Sequence, residues 1–164
     1  MEMWNKMAAP GEFHKHLEVF VGNWTYVVRM RFAPDAEWSQ SPGVSTIKWI
    51  LGGRYTLEEV EGTSPEMPFH GMGITGYDKT KQKFVSTWMD TMGTSMMSSM
   101  GTCDDSGKVF TYKGTRDDPM TGQRDAPFKW VIRVVNNGKF VGEGWKPGSD
   151  GKMFMDMEMT YTRK

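Results

Sequence analysis

Residues 24–32 read WTYVVRMRF, and the side chains of this segment change character at every second position. The even-numbered positions are apolar or aromatic, whereas the arginines at 29 and 31 fall between them. Because successive side chains of a strand point to opposite faces, this alternation predicts a β-strand with one buried face. The buried face would carry Trp24, Tyr26, Val28, Met30 and Phe32.

Further segments of similar length follow, separated by turn signals rich in glycine, asparagine and proline. The strongest of these signals is Asn136-Asn137-Gly138, which is typical of a β-hairpin. The connections contain no helices of the kind that parallel neighbours require, so an antiparallel order is predicted. These strands are predicted at residues 44–51, 54–61, 68–77, 84–92, 94–102, 108–115, 127–135, 139–145 and 153–163.

An open sheet of about ten strands would leave two unpaired edges, and closing the sheet removes them. We therefore predict an all-β fold, a closed antiparallel β-barrel of about ten strands. A short helix over Glu12–Val21 precedes it, because Phe13, Leu17 and Phe20 recur at helical spacing. Residues 1–11 are interpreted as an N-terminal extension and residues 12–164 as the barrel domain.

The composition limits the classes of partner. Twenty basic residues balance twenty acidic ones among the 164, so nothing predicts binding to nucleic acid or to an anionic membrane. Cys103 is the single cysteine, which excludes an internal disulfide and fits a reducing, cytoplasmic setting. No signal peptide is expected, and no segment has the roughly 20 apolar residues of a membrane-spanning helix.

The last predicted strand, MFMDMEMTYTR (153–163), indicates which face is inside. Its odd positions carry four methionines and Tyr161, whereas its even positions are mostly polar, so the methionines are expected to face the interior. Met96 and Met100 are candidates from the sixth strand. A barrel of this size can enclose a small ligand.

The leading hypothesis is therefore binding of a small hydrophobic or amphipathic molecule inside the barrel. Convergent thioethers could in principle hold Cu(I), but methionine more often provides a deformable apolar lining, so no metal or other cofactor is predicted. The predicted lining residues are Tyr26, Trp88, Met92, Met96, Trp130, Met155 and Met157.

An enzyme using the same cavity is the alternative. Asp90 shares strand parity with Trp88, and His70 lies on a glycine-rich strand, so either could act as acid or base. The competing interpretations are an Asp90–arginine pair and a surface histidine. The acidic run at 58, 59 and 61 must turn at least one carboxylate inward or to the rim, although a solvated strand is the preferred interpretation.

A third hypothesis is a structural or oligomerising barrel without a ligand. Trp4, Trp38 and Trp145 are expected to be exposed, which would fit a homodimer.

Gly22-Asn23-Trp24, which follows the predicted helix, resembles the Gly-X-Trp signature of lipocalins and other calycins. That resemblance implies that Trp24 closes one end of the barrel and that Arg163 packs across it. Longer segments, above all residues 68–94, resemble an uncharacterised bacterial family of this lipocalin-like group. The resemblance implies the barrel but no reaction. Related haem-binding barrels use a histidine near the C-terminal strands, whereas here the three histidines, His14, His16 and His70, precede them, so haem is not expected.

Overall fold

The structure is a computed structural model that describes residues 1–64, 67–118 and 122–164. Ten antiparallel strands form one closed barrel, in which every strand pairs with its sequence neighbours and β1 also pairs with β10. The predicted closed barrel is therefore confirmed. The strands are β1 (Gly22–Met30), β2 (Ser39–Ile50), β3 (Tyr55–Ser64), β4 (Met67–Asp78), β5 (Lys83–Asp90), β6 (Met97–Cys103), β7 (Val109–Asp118), β8 (Gln123–Asn136), β9 (Lys139–Pro147) and β10 (Met153–Arg163).

The N-terminal region is helical in three short pieces. Helix α1 (Glu2–Ala8) lies in the predicted extension, α2 (Glu12–Lys15) follows, and a 3₁₀ turn (Glu18–Phe20) completes the approach to β1. The single helix predicted over 12–21 is thus broken. The spacing of three between Leu17 and Phe20 suits a 3₁₀ turn, and both side chains are buried against the barrel.

The barrel end at which β1 begins is here called the closed end. Trp24 is completely buried, and its indole N–H donates a hydrogen bond of 2.8 Å to the Phe20 carbonyl. Phe20 in turn packs edge-on against Phe110 and Phe140 from the strands opposite. This end is therefore filled by aromatic side chains, and the guanidinium of Arg163 lies over Trp24.

A β-bulge lies between Met155 and Met157 in β10. Beyond it Met157, Met159 and Tyr161 pair with inward-facing positions of β1. On the N-terminal side of the bulge the odd-numbered side chains point outward instead, because a bulge inserts one extra residue into the strand. Met153 is 41% exposed and Met155 lies beside Trp145 on the outer face, so the predicted inward orientation of these two methionines is wrong.

Candidate functional site

The aromatic side chains of the inner wall lie flat over glycines of the neighbouring strand. A methyl group added to Gly142 would lie 2.4 Å from Trp130, and one added to Gly71 would lie 2.4 Å from Trp88. Tyr26 covers Gly43 in the same way. Aromatic rings that cover strand glycines in this way stabilise the sheet.

Burial of the inward side chains falls from the closed end towards the opposite end, here called the open end. Phe84 and Phe110 are almost completely buried near the closed end. Trp88, Met157 and Met159 also point inward by register, yet they are only half-buried. Because register turns these side chains inward, we assign their accessible surface to the inside of the barrel near the open end, and we call this region the recess.

The recess has two chemically different faces. Strands β2 to β5 contribute a polar face, where the hydroxyls of Thr75 and Ser86 are hydrogen-bonded at 3.0 Å. The opposite face is apolar. By register the polar face carries Ser45, Thr56, Glu58, Thr75 and Ser86, and the apolar face carries Val28, Trp130, Ile132, Met157 and Met159.

Glu58 is the central group of the polar face. Its Oε1 accepts hydrogen bonds from the Ser45 hydroxyl at 2.8 Å and from the Tyr161 hydroxyl at 3.0 Å. Burial raises the pKa of the Glu58 carboxyl, and these two hydrogen bonds oppose the rise. Burial raises the pKa of the Tyr26 hydroxyl, and the negative charge of Glu58 raises it further. Burial is also the larger cause and the Glu58 charge the next for Tyr161, whose pKa is raised well above the ordinary value of 10.

A charged cluster lies at the open end. The Asp156 Oδ2 atom lies 3.3 Å from the Arg116 guanidinium and 3.7 Å from the Lys146 ammonium. Asp156 is buried because the bulge turns it inward, although strict alternation predicts an outward side chain. The sequence contained no signal for this cluster, since its three residues come from three separate strands.

The family model described as "Protein of unknown function (DUF1579)" matches residues 9–163 of the chain. The chain belongs to the DUF1579 family. Comparison with curated proteins gave no match. Among solved structures, Rv2717c from M. tuberculosis is similar with a TM-score of 0.69 and 11% identity, over 95% of this chain and 99% of that one. A redesigned β-barrel gives a TM-score of 0.45 and 15% identity, over 91% and 95% of the two chains. At 11% identity the similarity to Rv2717c bears on the fold alone.

Asp90 faces the recess of this DUF1579 protein near the open end. Its Oδ2 accepts a 2.7 Å hydrogen bond from the Trp88 indole, and its Oδ1 accepts one of 2.9 Å from the Met92 amide. The carboxylate therefore fixes the Trp88 ring and ends β5, rather than forming the predicted alternative pair with an arginine.

His70 lies on the outer face of β4, where it is exposed and paired in register with Glu61. Its neighbour Gly71 is the residue that pairs with Asp90, so the two predicted acid–base residues lie on opposite sides of the wall. The expectation that His70 shares the cavity with Asp90 is wrong. Alternation placed Asp90 on the same face of β5 as Trp88, but it could not show which residues of the glycine-rich β4 face inward.

Three predicted methionines are also outside the recess. Met92 and Met96 lie between β5 and β6 with 53% and 65% of their surface exposed, and Met100 is 51% exposed on the outer face of β6. The thioethers therefore do not converge as expected. Across residues 1–64, 67–118 and 122–164, no group of three His, Cys, Asp or Glu side chains could hold a metal ion.

The tryptophans expected at the surface differ from one another. Trp4 is 76% exposed on α1. Trp38 packs against Arg29 and Arg31, and Lys129 covers Trp145, so these two indoles are only partly accessible. The expectation of three exposed tryptophans is right only for Trp4.

A separate groove of about 570 Å³ lies between α1 and the outer wall. His14 in this groove is buried and accepts a hydrogen bond from the Gly11 amide at its Nδ1. Burial, together with the positive charges of Lys79 and Arg54, lowers the pKa of His14. This histidine is therefore part of the packing between the helices and the barrel.

No helix in the described part of the chain is long and apolar enough to cross a membrane.

Proposed function

We propose that the barrel recess binds a small amphipathic molecule. The observation that carries the proposal is the group of inward but half-buried side chains, Trp88, Trp130, Met157 and Met159. Burying about 200 Å² of apolar ligand surface against such a wall contributes about 5 kcal/mol, and a few polar groups then set the orientation.

The two faces of the recess support an amphipathic rather than a purely apolar ligand. Methionine side chains on one face adapt to irregular apolar shapes. On the other face, no described residue donates to Oε2 of Glu58, and a ligand that is apolar on all sides would separate this oxygen from water without replacing the lost hydrogen bond.

The experiment is a titration with a neutral fluorescent probe, N-phenyl-1-naphthylamine, read by probe emission and by energy transfer from tryptophan. Met157→Lys places a charge in the recess, and Met100→Lys places the same charge on the outer face as a matched control. Saturable binding that is lost in the first variant and kept in the second supports the proposal. No saturable binding, or equal behaviour of the two variants in a folded state, would contradict it and favour a barrel without a ligand.

A further inference from the structure

Glu58, Asp90 and Asp156 are carboxylates of the described residues that lie on the inner wall, and for Asp90 and Asp156 the protein supplies partners to the carboxylate. Asp156 is paired with Arg116 and Lys146. Both oxygens of Asp90 accept hydrogen bonds, from the Trp88 indole and the Met92 amide. Glu58 differs, because Ser45 and Tyr161 both donate to Oε1, and no described residue donates to Oε2.

The surroundings of Glu58 favour its charged form through hydroxyl donors but provide no positive charge. No lysine, arginine or histidine of the described residues forms an ion pair with it. Its side chain nevertheless retains accessible surface, which register places inside the barrel. A carboxylate that is largely removed from water and has no positive partner is stabilised by a proton or by a cation that enters from outside.

We propose that Glu58 is the anchor for a protonated amine, so that the ligand of the barrel is an amphipathic organic cation. The ammonium group would donate to Oε2, the carboxylate oxygen to which no described residue donates. The apolar body would lie against Met157 and Met159. This inference rests on the proposed binding function and specifies the ligand class.

The proposal implies a pH dependence. The titratable groups that face Glu58 are Tyr26 on β1 and Tyr161 on β10, and the pKa of each phenol is raised above 10. Asp90 is the further carboxylate on the inner wall of β5, held by its own two hydrogen bonds. Affinity for an amine should therefore increase from pH 5 to pH 8 as Glu58 loses its proton, and the phenols stay protonated over that range.

The test uses displacement of N-phenyl-1-naphthylamine by decylamine, decanol and decanoate, which differ only in the head group. We expect decylamine to displace the probe at roughly one-tenth of the decanol concentration at pH 8. Glu58→Gln keeps an oxygen for Ser45 and Tyr161, and it should abolish this preference while decanol binding stays unchanged. Glu61→Gln removes a carboxylate from the outer face of the same strand, β3, and as the matched control it should keep the preference.

The possible outcomes separate the two proposals. If the neutral probe does not bind, the binding function itself fails. If the probe binds but decylamine is no better than decanol, or if the amine preference survives Glu58→Gln or is lost equally in Glu61→Gln, the assignment of Glu58 as amine anchor is overturned and the binding function stands. Stronger displacement by decanoate would also overturn the assignment.

Discussion

The guanidinium of Arg163 lies 4.2 Å from the centre of the Trp24 ring. The same guanidinium donates hydrogen bonds to the carbonyls of Asn137, Val21 and Val19 at 2.7, 2.8 and 3.0 Å. One side chain at the end of β10 therefore holds the start of β1, the approach to it and the β8–β9 turn together.

Gly22 provides the room for this contact. A methyl group added there would lie 2.3 Å from Nη1 of Arg163, and the φ of +143° is one that residues with side chains rarely adopt. Gly22→Ala should therefore lower the free energy of unfolding by about 2–3 kcal/mol. Urea denaturation measures this, with Gly93→Ala, where no atom lies within 4 Å, as a control that changes little. Equal stability of the two variants would contradict the role given to Arg163.

The contact between Gly142 and Trp130 gives a second prediction. Gly142→Ala should displace the indole and destabilise the fold by about 1–3 kcal/mol, because the new methyl group would overlap the ring. Near-ultraviolet circular dichroism and urea denaturation report the two effects. Trp130→Leu in the same chain should relieve the clash, so a double-mutant cycle that shows no coupling would contradict the flat-ring geometry.

Glu58 should make stability depend on pH. Its pKa is raised in the folded state, so the stabilising contribution is fully present below the unfolded-state pKa and is lost as pH rises through the folded-state pKa. Glu58→Gln removes this loss, so the variant should gain stability relative to the native chain as pH increases from 4 to 8. The measurement is the difference in free energy of unfolding across that range, and a difference that stays constant would contradict the prediction.

Cys103 should react slowly in the folded protein. Burial and then the charge of Asp104 raise the pKa of its thiol to about 11. At pH 8 the thiolate fraction is then about 100-fold smaller than in a free cysteine, and alkylation by iodoacetamide should slow by a similar factor. Alkylation in urea should recover the rate of a free thiol. A fast reaction in the folded state would show that the thiol is not shielded.

The sequence was sufficient for the barrel because the evidence for strands is local. Alternation over 24–32 and hairpin signals such as Asn136-Asn137-Gly138 depend on near neighbours, and they recover all ten strands. They also place Trp88 and Asp90 on one face, since β5 is regular.

The site was predictable only in part, because it depends on parity and on long-range contact. One bulge in β10 turns Asp156 inward and Met155 outward, and bulges leave little trace in the sequence. Glu58 lies on the same face of β3 as the buried Val60, and this could have identified it as the inward carboxylate of the acidic run at 58, 59 and 61. Its contact with Tyr161 joins residues 103 apart, which no local pattern reports.

Pairing of β1 with β10 also bears on how the chain is made. Arg163 binds the carbonyl of Val21, which leaves the ribosome 142 residues earlier. Until β10 has been synthesised, one edge of β1 has no hydrogen-bond partners and Arg163 does not cover Trp24. A chain in this state is prone to aggregation. Closure of the barrel therefore requires β10, the last of its ten strands to be synthesised, and β1 lacks its partner on that side until then.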